Sequence, residues 1–282
     1  MVRRAHCQKE GELTVLELQK LEKTFLKGTP NEHAALRGID LTLQDGEFVT
    51  VIGSNGAGKS TLFNAVAGTF FCDRGRILLD GEDITWQRDY RRAKKISRIF
   101  QDPMAGSAPD LTVAENIALA YARGRKHLAS FAVSRKSTAF FRESLASLGM
   151  GLENRMHAKM GLLSGGQRQA VTLLMATINT PRLLLLDEHT AALDPVTAER
   201  VLELTRSVVR ERKITTMMIT HSIEDALALG TRTIMLDEGR IVLDLGGSGR
   251  AALDAQGLLA LYREKCSSGA VGDRMLFSME EK

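Results

Sequence analysis

Nine consecutive residues, Gly53-Ser54-Asn55-Gly56-Ala57-Gly58-Lys59-Ser60-Thr61, constrain this chain more than any other stretch. They fit G-x-x-x-x-G-K-[ST] and stand between a strand-like run, Phe48–Ile52, and an apolar run expected to be a helix, Leu62–Phe71. A phosphate chain needs many N–H donors at close range. Glycines let a backbone wrap it without side-chain clashes, and a helix N-terminus adds partial positive charge. Lys59 is placed to reach the β- and γ-phosphates, and the Ser60 hydroxyl to ligate Mg²⁺. Average composition gives a match this specific by accident in about 1% of chains of this length. The strand-loop-helix setting lowers that further, so the segment is read as a nucleotide site.

The rest of the sequence is ordinary for a globular protein. Of 282 residues 44% are hydrophobic and 26% charged, which excludes collagen-like, disulfide-scaffold and wholly disordered classes. A net charge of +4, from 38 basic and 34 acidic residues, is too close to balance to announce a nucleic-acid binder, and none is expected as a partner. Cys7, Cys72 and Cys266 lie far apart without C-x-x-C spacing, so free thiols are expected rather than bridges or a zinc site. A spanning helix needs about 20 apolar residues. The longest apolar stretches, such as Leu183–Leu186, are strand-sized, and no signal peptide is read at the N-terminus.

Along the chain, Ile39, Leu41 and Leu43 alternate with polar residues before Asp45-Gly46, and Arg76–Leu79 runs into Asp80-Gly81. These suggest antiparallel strands beside a main sheet. Residues 112–180 look helical. Strands at Arg182–Glu188 and Thr215–Thr220 then alternate with helices at Pro195–Arg212 and Ser222–Leu229, ahead of a hairpin over Arg232–Asp244 turning at Glu238-Gly239. Continuous apolar strands separated by helices predict a parallel sheet covered on both faces. The expected class is therefore α/β, a P-loop NTPase with a mainly parallel core sheet, an antiparallel β subdomain and an inserted helical subdomain at about 105–170. The expected organisation is a flexible 1–12, a nucleotide-binding domain over 13–250, a C-terminal helix at 251–266 and a flexible tail at 267–282.

Four further elements narrow the chemistry: Gln101 in Phe100-Gln101-Asp102-Pro103, Leu163-Ser164-Gly165-Gly166-Gln167, Leu183–Leu186 followed by Asp187-Glu188, and Ala192-Leu193-Asp194 followed by His221. In this order and spacing the chain resembles the ATP-binding subunit of ABC transporters over roughly Thr14–Asp244. The resemblance implies that Asp187 holds Mg²⁺ through water and that Gln101 senses the metal and the γ-phosphate. Glu188 would be the general base, while His221 would position the attacking water. Phe25 matches the aromatic that stacks on adenine. Ser164, Gly165, Gly166 and Gln167 would close on ATP held by a second copy of the chain, with Asp194 at the seam.

Each assignment has a plainer rival: a strand-capping acidic pair at 187–188, a surface histidine at 221, a core phenylalanine at 25. Motif context favours the functional roles. His189 is given no catalytic part, and Cys72 reads as a small loop residue. The basic residues Arg123, Arg125, Lys126, His127, Arg135, Lys136 and Arg142 read first as a solvated helical face, and second as a contact with anionic lipid headgroups. A single cassette without coiled-coil arms argues against translation or DNA-maintenance ATPases of the same class. The stretches Arg92–Pro109 and Leu186–Pro195 resemble a bacterial subgroup of importer ATPases paired with branched-chain-amino-acid-type permeases and a lipoprotein receptor. The expected cofactors are ATP and Mg²⁺. The expected partners are a second copy, integral-membrane permease subunits and an extracytoplasmic solute-binding protein, with the chain peripheral on the cytoplasmic face of the membrane. An exporter cassette is the alternative.

Overall fold

The computed structural model describes residues 13–123 and 135–265. The first strands, β1 (Thr14–Phe25) and β2 (His33–Gln44), mix buried residues with partly exposed ones along their length, as strands with one face on a core do. With β4 (Arg74–Leu79) and β5 (Glu82–Asp83) they make an antiparallel sheet in the order β2-β1-β4-β5. The β4–β5 hairpin turns on Asp80 and Gly81, both at positive φ (51° and 76°), the conformation a two-residue type I′ loop requires.

The second sheet is the one that carries the site. Its strands are β3 (Phe48–Gly53), β6 (Ile96–Ile99), β7 (Leu183–Asp187), β8 (Thr215–Ile219), β9 (Arg232–Asp237) and β10 (Arg240–Gly246), in the order β10-β9-β3-β8-β7-β6. Five run parallel, and only β10 is antiparallel, at the edge. Every residue of β3, β7 and β8 is buried, as expected of central parallel strands with both faces covered. One core lies between the two sheets around α1 (Lys59–Ala67), with Leu62, Phe63 and Val66 at its centre. A second covers the opposite face of the main sheet. Arg232 ties the sheets together, donating to Asp244 at 2.6 Å and to the Thr42 carbonyl at 2.9 Å.

Several boundaries differ from expectation. Asp45-Gly46 is a turn that joins different sheets: β2 pairs with β1, β3 pairs with β8 and β9, and the turn carries the chain from one sheet to the other. The helix expected over Leu62–Phe71 starts at Lys59 and stops at Ala67, because Gly68 takes a left-handed C-cap at φ 83°. The helical subdomain contains α3 (Val113–Ala122), α4 (Arg135–Ala146) and α5 (Gly165–Thr177). Between the last two, short 3-10 turns replace continuous helix. Within the expected C-terminal helix at 251–266 the structure has a helix over Ala255–Lys265, preceded by a short one over Gly247–Ala251. Arg123 is no member of a solvated face: its guanidinium is turned inward and donates to the Met175 carbonyl at 3.2 Å. Arg125, Lys126, His127, Cys7, Cys266 and both expected flexible ends lie outside the described residues. Cys72 is buried and unbridged.

Candidate functional site

The phosphate loop leaves the C-terminal end of β3, held between β8 and β9. Two of its glycines are required by shape. A Cβ on Gly53 would lie 2.2 Å from the Leu236 carbonyl oxygen, and one on Gly58 2.5 Å from that of Ala35, with φ at 151° and 100°. Gly58 caps α1 without any side-chain hydrogen bond, so the helix offers its first N–H groups outward. Lys59 arches back over the loop, donating from Nζ to the carbonyls of Gly53 (2.8 Å) and Ser54 (2.9 Å). Burial pushes its pKa down, while the charges of Glu188 and Asp187 pull it back up. The ammonium is thus held over the concavity formed by Gly53–Gly58, with Ser60 exposed just beyond it.

Register brings the acidic groups to the same end of the sheet. Ile99 of β6 pairs with Leu186 of β7, and Asp187 with Ile219 of β8. Gln101, Asp187, Glu188 and His221 therefore all emerge together at the strands' carboxyl ends, the usual ligand edge of an open α/β sheet. Glu188 sits in the left-handed region at φ 45°, a conformation that costs a non-glycine residue about 1–3 kcal/mol and recurs at functional positions. Its Oε1 lies 2.6 Å from His221 Nε2. Asp187 is buried and its Oδ2 accepts from Arg98 Nη2 at 2.7 Å. Gln101 is exposed. Glu188, His221, Leu193, Pro195 and Asp225 line a cleft of about 570 Å³ reaching between the ends of β7 and β8 and the start of α6 (Pro195–Arg212). Phe25, at the end of β1, is half-buried and packs edge-on against Phe70 at 5.4 Å, with the Lys23 ammonium near both rings.

His189 follows Glu188 but belongs to the core: it is fully buried, and its Nε2 lies 3.1 Å from the Thr205 hydroxyl of α6. Burial pushes its pKa down to about 4. The unfolded chain holds this histidine at an ordinary pKa near 6.5, so between pH 6.5 and 4 it binds more protons than the native state. The stability from a neutral His189 is full above pH 6.5 and is lost as pH falls toward 4. A His189→Leu variant is expected to flatten the acid limb of the stability curve in that window, measured by urea unfolding at a series of pH values.

The Ser164–Gln167 segment is a capping box at the start of α5. The Ser164 hydroxyl accepts from the Gln167 N–H, and the Gln167 Oε1 accepts from the Ser164 N–H, both at 3.3 Å. Gln167 Oε1 also accepts from Arg155 at 3.0 Å, so within one chain this side chain is engaged in holding its own helix end. Asp194 caps α6 in the same way, accepting from the Thr197 N–H at 3.0 Å. The two helix starts abut. A Cβ on Gly166 would lie 2.1 Å from Thr197 Cγ2, and one on Gly165 3.1 Å from Leu193 Cδ2. The glycines are thus needed for packing as well as for an open backbone. Gly166→Ala is expected to cost about 1–3 kcal/mol by overpacking, and Thr197→Ala in the same chain to recover most of it in thermal unfolding.

Within one chain the structure therefore makes two groups. The phosphate loop, Gln101, Asp187, Glu188 and His221 cluster at the sheet's edge, while Ser164–Gln167 and Asp194 form a separate helix-start pair. Sequence reasoning missed Arg98 and Arg155, and their only cue is an arginine where an apolar strand or loop would serve. The donor set suits Mg²⁺: hydroxyl, amide and carboxylate oxygens, with too few protein ligands for a self-sufficient cage. Among the described residues no group of three or more His, Cys, Asp or Glu could hold an ion unaided.

Residues 36–191 match the ABC transporter family. The chain is 41% identical to the tyrosine transport ATP-binding protein of Clostridioides difficile (strain R20291), covering 88% of this chain and 98% of that one. It is 36% identical to the lipoprotein-releasing system ATP-binding protein LolD of Ruegeria sp. (strain TM1040), over 80% and 97%. Among solved structures it is similar to the post-hydrolysis dimer of the ATP-binding cassette MJ0796 with ADP and Pi, at TM-score 0.70 and 28% identity, covering 82% of this chain and 98% of that one.

Proposed function

Because the chain belongs to the ABC transporter family as its ATP-binding, ATP-hydrolysing subunit, we propose that it powers an importer of a small solute such as an amino acid. Gly53, Ser54, Asn55, Gly56, Ala57, Gly58 and Thr61 wrap the phosphates, and Lys59 meets their β and γ oxygens. Phe25 stacks on the adenine. Ser60, Gln101 and Asp187 would hold Mg²⁺, which would supply positive charge against the phosphoryl being transferred. Glu188 takes the proton of the attacking water. His221, whose Nε2 sits on the Glu188 carboxylate, holds that water in line. Catalysis of this kind is mainly orientation and charge stabilisation.

A second copy completes each site. Its Ser164, Gly165, Gly166 and Gln167 close on the γ-phosphate from the other side, with Asp194 at the seam. The post-hydrolysis dimer of a similar cassette supports this arrangement. No described helix is long and apolar enough to cross a membrane. The membrane permease is a partner to which this subunit is peripheral, a reading supported by the similarity to a transport ATP-binding protein covered over 98% of its length. The permease's coupling segment is received near Met104–Asp110, between Gln101 and α3, and an extracytoplasmic receptor delivers the solute.

The observation that carries the amino-acid assignment is the 41% identity, almost end to end, to a tyrosine transport ATP-binding protein. The similarity to a lipoprotein-releasing subunit supports an export reading as the alternative. Cells lacking this chain are expected to lose uptake of labelled aromatic amino acid and to recover it with the wild-type copy. Unchanged uptake, with lipoproteins retained at the inner membrane, would favour export.

A further inference from the structure

The cation nearest the acidic end of β7 is a residue to which the roles above give no part. Arg98 stands in the short strand Ile96-Ser97-Arg98-Ile99, whose other residues are buried. Its own side chain is largely buried beside Asp187, with 13% and 11% exposure. One guanidinium joins three parts of the site. Nη2 donates to Asp187 Oδ2 at 2.7 Å, and Nη1 donates to Asn64 Oδ1 on α1, the helix that follows the phosphate loop. The guanidinium carbon lies 4.7 Å from the centre of the Phe100 ring, immediately before Gln101. Nε is buried without a partner, so the group is held here at the cost of one unmade hydrogen bond.

A lysine could not do this. The planar fork serves two acceptors on different elements from two separate nitrogens while its carbon lies near a ring, where an ammonium has a single nitrogen to offer both. Nor is the contact needed to cancel an isolated charge, because Asp187 also faces Lys59. The arrangement engages one oxygen of the carboxylate and spends a full positive charge on it.

Resting on the reading of Asp187 as the carboxylate that draws Mg²⁺, we propose that Arg98 is a positioning residue for the metal. It fixes the rotamer of Asp187 through Oδ2, leaves Oδ1 for the metal's water, and weakens the carboxylate's pull on the cation by partly neutralising it. Through Asn64 and Phe100 the same group keeps α1 and the Gln101 segment in register with that carboxylate. Two consequences pull in opposite directions. Without the positive charge the site draws Mg²⁺ more strongly. Without the tether it hydrolyses more slowly.

The test measures binding of a fluorescent ATP analogue across a series of free Mg²⁺ concentrations, in the hydrolysis-arrested Glu188→Gln chain with and without Arg98→Met. The half-saturating Mg²⁺ is expected to fall threefold or more, with analogue affinity in EDTA changed less than twofold. With Glu188 restored, Arg98→Met is expected to lower kcat at least tenfold at saturating MgATP. Arg98→Lys keeps the charge but not the fork, so its Mg²⁺ threshold should stay within twofold of the parent while kcat still falls. Arg98→Gln carries the same expectation as Arg98→Met if the latter does not fold. An unchanged or raised Mg²⁺ threshold in the uncharged variants, with only a lowered melting temperature, would make Arg98 a packing residue and overturn the proposal. A parent Glu188→Gln chain that binds no MgATP would instead overturn the functional reading, and this inference with it.

Discussion

Glu188→Gln is expected to lower ATP turnover by about 10²- to 10⁴-fold, the contribution typical of a positioned general base, while MgATP binding survives. The substitution keeps the side chain's length and one acceptor oxygen, so the contact with His221, 2.6 Å in the native chain, can persist as a hydrogen bond. What disappears is the ability to take a proton. Because Glu188 is already held at φ 45°, the amide inherits a backbone aimed at the same point. Steady-state phosphate release paired with a nucleotide-binding titration separates the two effects. A variant that loses binding along with turnover would mean that Glu188 shapes the nucleotide pocket and is no base.

Arg92→Met is expected to cost about 3–5 kcal/mol of stability, more than any surface change in this chain. Arg92 is 2% exposed and lies in α2 (Asp89–Arg92). Its guanidinium donates to four main-chain carbonyls: Ala65 at 2.8 Å and Val66 at 2.9 Å, in the last turn of α1, and Thr85 and Gln87 at 2.9 Å. A positive charge at that helix end also opposes the negative pole of the α1 dipole. Methionine fills the volume and satisfies none of the four acceptors, three of which, on Ala65, Val66 and Thr85, belong to buried residues. The helix concerned is the one that presents Lys59 and Ser60, so the loss should appear in urea unfolding first and in nucleotide affinity second. Unfolding within 1 kcal/mol of wild type would show that the carbonyls find other donors.

The parts of this fold that were legible in the sequence are those fixed by local chemistry. The helix Pro195–Arg212 was readable to the residue, because Asp194 is an N-cap, Pro195 suits the first turn, and Lys213 ends it in the left-handed region. The hairpin at Glu238-Gly239 follows from two residues at positive φ (44° and 77°). The phosphate loop's glycines announced themselves for the same reason. Where the outcome depends on distant partners, the sequence was silent. Asp45-Gly46 reads as a tight turn, and nothing local says that β2 and β3 will join different sheets. The early stop of α1 had a local cue in Gly68 that hydrophobic periodicity outweighed. The expected positions of Gln101, Asp187 and His221 came from motif order, but the Glu188–His221 contact depends on the register of β7 against β8. Arg98 reaches Asp187 across 89 positions, and no spacing rule predicts such a pair. Gln167 carried both readings at once: the Ser-x-x-Gln pattern of a capping box, which the structure contains, and a contact to a second copy's nucleotide.

That contact is open to direct measurement. Light scattering of the Glu188→Gln chain, with MgATP and then with EDTA, reports whether one copy's phosphate loop and another's Ser164–Gln167 enclose the same nucleotide. The mass should double with MgATP, return to that of a single chain in EDTA, and stay single when Ser164→Arg is added to the arrested protein. A chain saturated with MgATP that stays a single copy, alone and in complex with its permease, would contradict the shared site.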